Sequence, residues 1–195
     1  MLEINKDSVL KQLGFFAGKS EISDEIDIII DEEIENTKNI LIPQKILKTC
    51  KIEFQDETSL RIFGGFTITS KSLFIRLQGS FNVYIFAVTV GGLITKKMNE
   101  YVENGEISRA IVADAIGSVS VEFLADKVNQ EIINLCSKKG QKTTKRFSPG
   151  YGDWSISDQK PLLNHLDGEK IGINLTENYQ MIPEKSISAI VGVLH

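Results

Sequence analysis

The run NVYIFAVT, residues 82–89, constrains the fold more than any other stretch of this chain. It lacks the regular polar alternation of a strand with one wet face. It reads as a buried central strand, and so it demands a sheet with packed layers on both sides. Gly91 and Gly92 follow, and GLITKKMNEYVEN opens a helix at once. A strand entering a glycine turn and then a helix creates a positive helix N-terminus where an anion can sit. An ordinary connection accounts for the same pattern.

The rest of the chain supplies the layers. Asp7 is placed to cap a short helix to Leu13, with Gly14 as its stop. Ser23 opens a second helix with acidic residues in its first turn. Its apolar stripe is Ile26, Ile29, Ile30 and Ile34, and the acidic run DEEIE reads as its solvated face. Segments 45–54 and 59–63 read as strands, Gly64–Gly65 as a turn, and Ser70–Leu77 as one or two helical turns. The longest periodic segment, about 107–138, is a helix with a face of small residues and Gly140 as its stop. Ile111, Ala115, Val119, Glu122 and Asp126 fall at its three- and four-residue steps, with Val128 two residues beyond. A short helix at Asp158–Leu166 and apolar pieces at 171–174, near 181–182 and at 188–193 complete the chain. This is an α+β layout: a central, mainly antiparallel sheet with helices packed on it. A helical N-terminal part, 1–40, precedes the sheet part, 41–195, within one domain.

Composition narrows the function. The chain has 195 residues with 42% hydrophobic and 25% charged, an ordinary globular balance. Its net charge of −4 argues against a nucleic-acid footprint, which needs a basic face. No apolar run reaches the roughly 18 residues of a membrane span, and the N-terminus has no signal-peptide core. A cytoplasmic protein is expected. Cys50 and Cys136 read as two buried thiols in a reducing compartment. With His165 and His195 they lack the paired spacing of a zinc site, so no metal ligands are assigned.

Four segments can carry chemistry. In RFSPGYGDW, residues 146–154, a proline and two glycines force an irregular turn whose backbone N–H groups can face a ligand. Arg146 offers a planar fork for a carboxylate or phosphate, and Tyr151 and Trp154 offer aromatic faces. By composition alone, a structural loop with a surface arginine explains it as well. In LTENYQMIPEKSIS, residues 175–188, Thr176, Glu177 and Asn178 sit just past a strand; the segment offers ligand groups or is a polar turn joining two strands. Glu122 and Asp126, four apart on the long helix, share a face. They are mildly unfavourable there unless a cation sits between them; a solvated face is the alternative. The glycine turn after residue 89 is the fourth.

Together these segments resemble the activation (reactivation) domain of cobalamin-dependent methionine synthase. Arg146-Phe-Ser148-Pro149-Gly150-Tyr151 is similar to that family's Arg-x-x-x-Gly-Tyr motif for S-adenosylmethionine. VEFLADKVNQEI resembles its acidic helix, where a Glu-x-x-x-Asp step recurs. IGINLTENYQMIPEKSISAIVGV resembles the Leu-Thr-Glu-Ser…Pro…Ser-x-Ser ending, INKDSVLKQLGF the start of free-standing members, and AVTVGG their Thr-Leu-Gly turn. The resemblance spans residues 4 to 193.

The resemblance implies S-adenosylmethionine as ligand, held by Arg146, Ser148, Pro149, Gly150, Tyr151, Glu122, Asp126, Thr176 and Glu177. Tyr151 takes the catalytic place near the sulfur. It implies a methyltransferase-class role: reductive methylation of cob(II)alamin, with the cobalamin on a partner, the cobalamin-binding core chain of methionine synthase. A flavodoxin-like donor supplies the electron. Methyl transfer from a sulfonium moves no proton, so catalysis is by orientation and no acid–base dyad is expected. The sequence shows no methyltransferase, folate or cobalamin domain, so a separate polypeptide, incomplete without its partner, is expected. The long synthase form continues past the SAIVGV strand, so its further contacts are expected to be missing or replaced; Asn178 stands where that form has Ser. An exposed aromatic face of Tyr151, Trp154 and Tyr179 is expected to dock the cobalamin domain. The alternatives are a non-catalytic binding or regulatory module of the same fold, and an activator of another corrinoid methyltransferase.

Overall fold

The computed structural model describes residues 2–16 and 21–195. Within the N-terminal part, residue 1 and residues 17–20 lie outside the described residues. The chain runs α1 (Lys6–Gln12), α2 (Asp24–Thr37), β1 (Gln44–Phe54), β2 (Ser59–Ile62), β3 (Thr67–Thr69), α3 (Lys71–Leu77) and β4 (Asn82–Thr89). It continues through α4 (Leu93–Glu103), α5 (Ile107–Ser137), β5 (Lys142–Thr143), α6 (Gln159–Leu166), β6 (Asn174–Leu175), β7 (Met181–Ile182) and β8 (Ser186–Leu194).

Six strands form one sheet in the order β3-β2-β1-β4-β8-β5, and β6 and β7 form a separate hairpin. Every paired neighbour is antiparallel. β4 lies between β1 and β8, and side chains alternate across its faces. Val83, Ile85 and Ala87 enter one apolar cluster with Leu73, Leu77, Leu162, Leu163 and Trp154. Phe86 and Val88 enter another with the α5 residues Leu124, Ala125, Val128 and Ile132. Two wet-excluded faces explain why the NVYIFAVT run has no alternation. A third cluster joins α1 and α2 to the first half of α5, through Val9, Ile30, Val112 and Ile116.

The local signals mostly hold. Ser23 caps α2, its hydroxyl accepting from Ile26 N at 3.4 Å. Ser70 caps α3, accepting from Leu73 N at 3.0 Å. Gly91 takes φ +83, and a Cβ there would meet Ile42 Cβ at 3.2 Å, so only glycine fits this turn. Gly117 lets α5 approach its neighbours; a Cβ would lie 3.1 Å from Lys185 Cε and 3.3 Å from Ile94 Cγ1.

Four expectations need correction. The cap of α1 is Asn5, whose side chain accepts from Ser8 N at 3.1 Å, with Asp7 already inside the helix. The acidic run DEEIE is not wholly a solvated face: Glu33 is 0% exposed. Its carboxylate accepts from Tyr101 Oη, 2.9 Å to each oxygen, and from Arg109 Nη1 at 2.6 Å. The buried stripe of α5 does not pass through Ile111, which is 55% exposed; Ala110, Ala113 and Ile116 face inward instead. Of the two thiols, Cys136 is buried, but Cys50 is half-buried, with its sulfur 3.0 Å from His165 Nε2.

Candidate functional site

The segment 146–154 is anchored before it can offer anything to a ligand. Phe147 bridges β8 through Ile190, with backbone bonds of 3.0 and 2.8 Å. The Phe147 ring stacks on Trp154 at 6.0 Å between centroids, and the Arg76 guanidinium lies over the Phe147 ring, 4.7 Å from its centroid. Trp154 is 1% exposed and donates from Nε1 to Asp158 at 2.9 Å. It is therefore core, not part of an exposed docking face, and the reason is this stack. Burial raises the Asp158 carboxyl above its ordinary range, with the Trp154 bond opposing the shift.

At the far end, Asp153 fastens the loop to α3. Its carboxylate accepts from Ser70 Oγ at 2.6 Å, Lys71 N at 2.8 Å and Ser72 N at 3.0 Å. These bonds, led by Ser70, hold the Asp153 carboxyl well below the usual carboxylate range. Between the anchors, Gly150 takes φ +91 and donates its N–H to Trp154 O at 2.8 Å. A side chain at Gly150 would be strained by that backbone angle.

The loop walls a cleft of about 320 Å³. Arg146, Ser148, Pro149 and Tyr151 line it, with Glu122 from α5, Gln159 from α6, Met181 from β7, and Ser186 and Ser188 from β8. Arg146 pairs with Glu122 and lies 3.5 Å from Asp126 Oδ1, so a cation does sit between the two like charges of α5. Asp126 itself opens to a neighbouring hollow beside α1, on the other side of Glu122. One guanidinium nitrogen of Arg146, Nη1, is buried without a hydrogen-bond partner among the described residues. A buried unpaired donor is costly, and here it belongs to the strongest carboxylate-binding side chain in the cleft. Tyr151 is 66% exposed.

Not all the expected residues come together. Thr176 and Glu177 sit at the tip of the β6–β7 hairpin and line a second, larger cleft of about 720 Å³ with Asn164, Asp167 and Tyr179. Tyr179 thus stands with that cleft, apart from the one lined by Tyr151. Conversely, Ser186 and Ser188, the Ser-x-Ser that closes the segment 175–188, line the Arg146 cleft, and so does Gln159, which was not singled out in the sequence. The spacing of 186 and 188 puts both side chains on one face of a strand. Nothing local marks Gln159.

An antiparallel sheet with helices on both faces, one cleft beside β8 and another at the β6–β7 hairpin, defines an α+β domain with room for small ligands. Its sequence matches the family of vitamin B12 dependent methionine synthase activation domains over residues 3–193, and the chain belongs to that family. Its fold is similar to that in the crystal structure of the MetH reactivation domain bound to AdoHcy. The TM-score is 0.72 at 11% sequence identity, over 96% of this chain and 74% of that one. No curated protein matches the sequence. The family is that of a methyltransferase, and the chain carries its activation-domain fold. Among the described residues, no helix is long and apolar enough to cross a membrane.

Proposed function

We propose that the Arg146 cleft binds S-adenosylmethionine and presents its methyl group to cobalamin held by a partner, the cobalamin-binding core chain of a methionine synthase. The observation that carries this is the buried, unpartnered Nη1 of Arg146 at a cleft of ligand size. The AdoHcy in the similar reactivation domain supports it. In this reading the Arg146 fork takes the methionyl carboxylate and Glu122, with Asp126 behind it, faces the ammonium. Ser148, Pro149 and Gly150 shape the wall, and Tyr151 lies against the sulfonium at the open mouth.

Breaking the S–CH3 bond leaves neutral S-adenosylhomocysteine and moves no proton, so no acid or base is required of the chain. Its task is to hold the donor in line, which is catalysis by orientation. Cobalamin supplies the cobalt that takes the methyl group once a flavodoxin-like donor has delivered one electron. Tyr151, exposed beside the cleft, is the side chain the partner meets first, and an aromatic ring with a polar tip suits a contact that forms and parts.

The test mixes this chain with a core synthase carrying cob(II)alamin, S-adenosylmethionine and a one-electron reductant. S-adenosylhomocysteine formation and the visible spectrum are followed together. Product is expected only with all components present. Tyr151→Ala is expected to slow its formation on the order of ten- to a hundredfold, the scale of a misplaced donor. Equal rates without this chain reject the proposal. Binding of S-adenosylmethionine without methyl transfer would instead make the chain a non-catalytic module.

A further inference from the structure

The cleft wraps around β8, and the alternation of that strand divides it. Ile187 pairs with Val88 and packs in the cluster shared with α5, whereas Ser188 pairs with Ala87 and faces the α6 side. Phe147, opposite Ile190, packs on the α6 side, while Arg146 pairs with Glu122 of α5. The charged end of the cleft, Arg146 and Glu122, therefore lies on the α5 side of the sheet. The uncharged polar end, Gln159 and Ser188, lies on the α6 side.

That second end is built. Gln159 is 4% exposed and Ser188 is 2% exposed, yet both line the cleft. The Ser188 hydroxyl donates to the Gln159 amide oxygen at 2.8 Å. This bond occupies the acceptor of Gln159 and fixes the plane of its amide. The amide nitrogen donates to none of the described residues. Unlike Arg146 Nη1, this nitrogen is not fully buried, so it keeps an open face on the cleft from which it can donate to a ligand. The neighbouring Met181, Pro149 and Ile156 supply apolar walls for a flat ring.

We infer that Gln159, locked by Ser188, is a specificity-determining residue that donates its amide N–H to a ring nitrogen of the adenine in S-adenosylmethionine. The inference rests on the reading of this cleft as the S-adenosylmethionine site. A fixed donor at this end accepts purines that present an acceptor there. It rejects analogues in which that nitrogen is replaced by C–H.

The experiment is a cycle of protein and ligand variants, read by titration calorimetry with S-adenosylhomocysteine and its 1-deaza, 3-deaza and 7-deaza analogues. The wild-type chain, Gln159→Leu and Gln159→Glu are compared, with thermal unfolding followed for each. Gln159→Leu is expected to weaken S-adenosylhomocysteine binding about 5- to 20-fold. Gln159→Glu, which keeps the length but sets a carboxylate oxygen against the ring nitrogen, is expected to weaken it at least as much. One deaza analogue should bind the wild type correspondingly more weakly and lose no further affinity in Gln159→Leu. A purely structural role would weaken all four ligands alike. Wild-type binding with no coupling to any of the three ring nitrogens overturns this inference and leaves the ligand reading intact. Failure of the wild type to bind S-adenosylhomocysteine at all overturns both.

Discussion

Arg109→Ala is expected to lower the unfolding free energy by about 3 kcal/mol, the cost of stripping a buried carboxylate of its cation. Glu33 is fully buried where α2 meets α4 and α5; among the described residues Arg109 is its only cationic partner, with Tyr101 and Asn36 as neutral donors. Burial first, and then the bond to Glu33, push the Tyr101 hydroxyl up to about 12, so it remains a donor at any ordinary pH. Arg109 also reaches Glu32 and Glu106, but those carboxylates are half in water and contribute little. Removing the guanidinium leaves only neutral donors, Tyr101 and a long 3.3 Å bond from Asn36, to satisfy a buried charge. Glu33→Gln combined with Arg109→Met removes both charges and is expected to cost less than the sum of the single changes. Urea unfolding of the three variants checks this. A loss under about 1 kcal/mol for Arg109→Ala would show that water reaches Glu33.

The second large effect is on binding. Arg146→Ala is expected to weaken S-adenosylmethionine affinity about 10- to 150-fold, from the roughly 1.5–3 kcal/mol of a charge-assisted bond. Arg146→Lys is expected to recover little, because a point charge cannot reproduce a planar fork that spans Glu122 and a ligand carboxylate. Folding should be nearly unchanged, since Glu122 and Asp126 are more than half exposed and their ion pairs with Arg146 are screened. Titration calorimetry with unchanged affinity in Arg146→Ala would remove the ligand assignment.

What was legible in the sequence was what local chemistry decides. β4 announced itself because a strand covered on both faces can show no alternation. Ser23 and Ser70 announced helix starts because an N-cap hydroxyl acts within three residues. Glu122 and Asp126 announced a shared face because the helical repeat requires it. The failures are long-range. Glu33 looks like its acidic neighbours, and its partners Tyr101 and Arg109 lie 68 and 76 residues away. Trp154 has the composition of a ligand-facing aromatic, and only the Phe147 stack makes it core. Thr176 and Glu177 follow a strand as ligand groups do, but the hairpin turns them into the other cleft. Gln159 gains its meaning from Ser188, 29 residues on.

α5 is a single rod of 31 residues that carries Arg109 near its start and Glu122 at its middle. Thirteen residues at about 1.5 Å each set the two positions roughly 20 Å apart along a stiff axis. Nothing is shared between the partners of one and the partners of the other. At that separation two lesions act independently. A chain weakened at the Glu33 contact keeps its ligand geometry for as long as it stays folded. Helix α2 can therefore vary under a stability requirement alone, while the cleft, on the proposed reading, answers to its ligand.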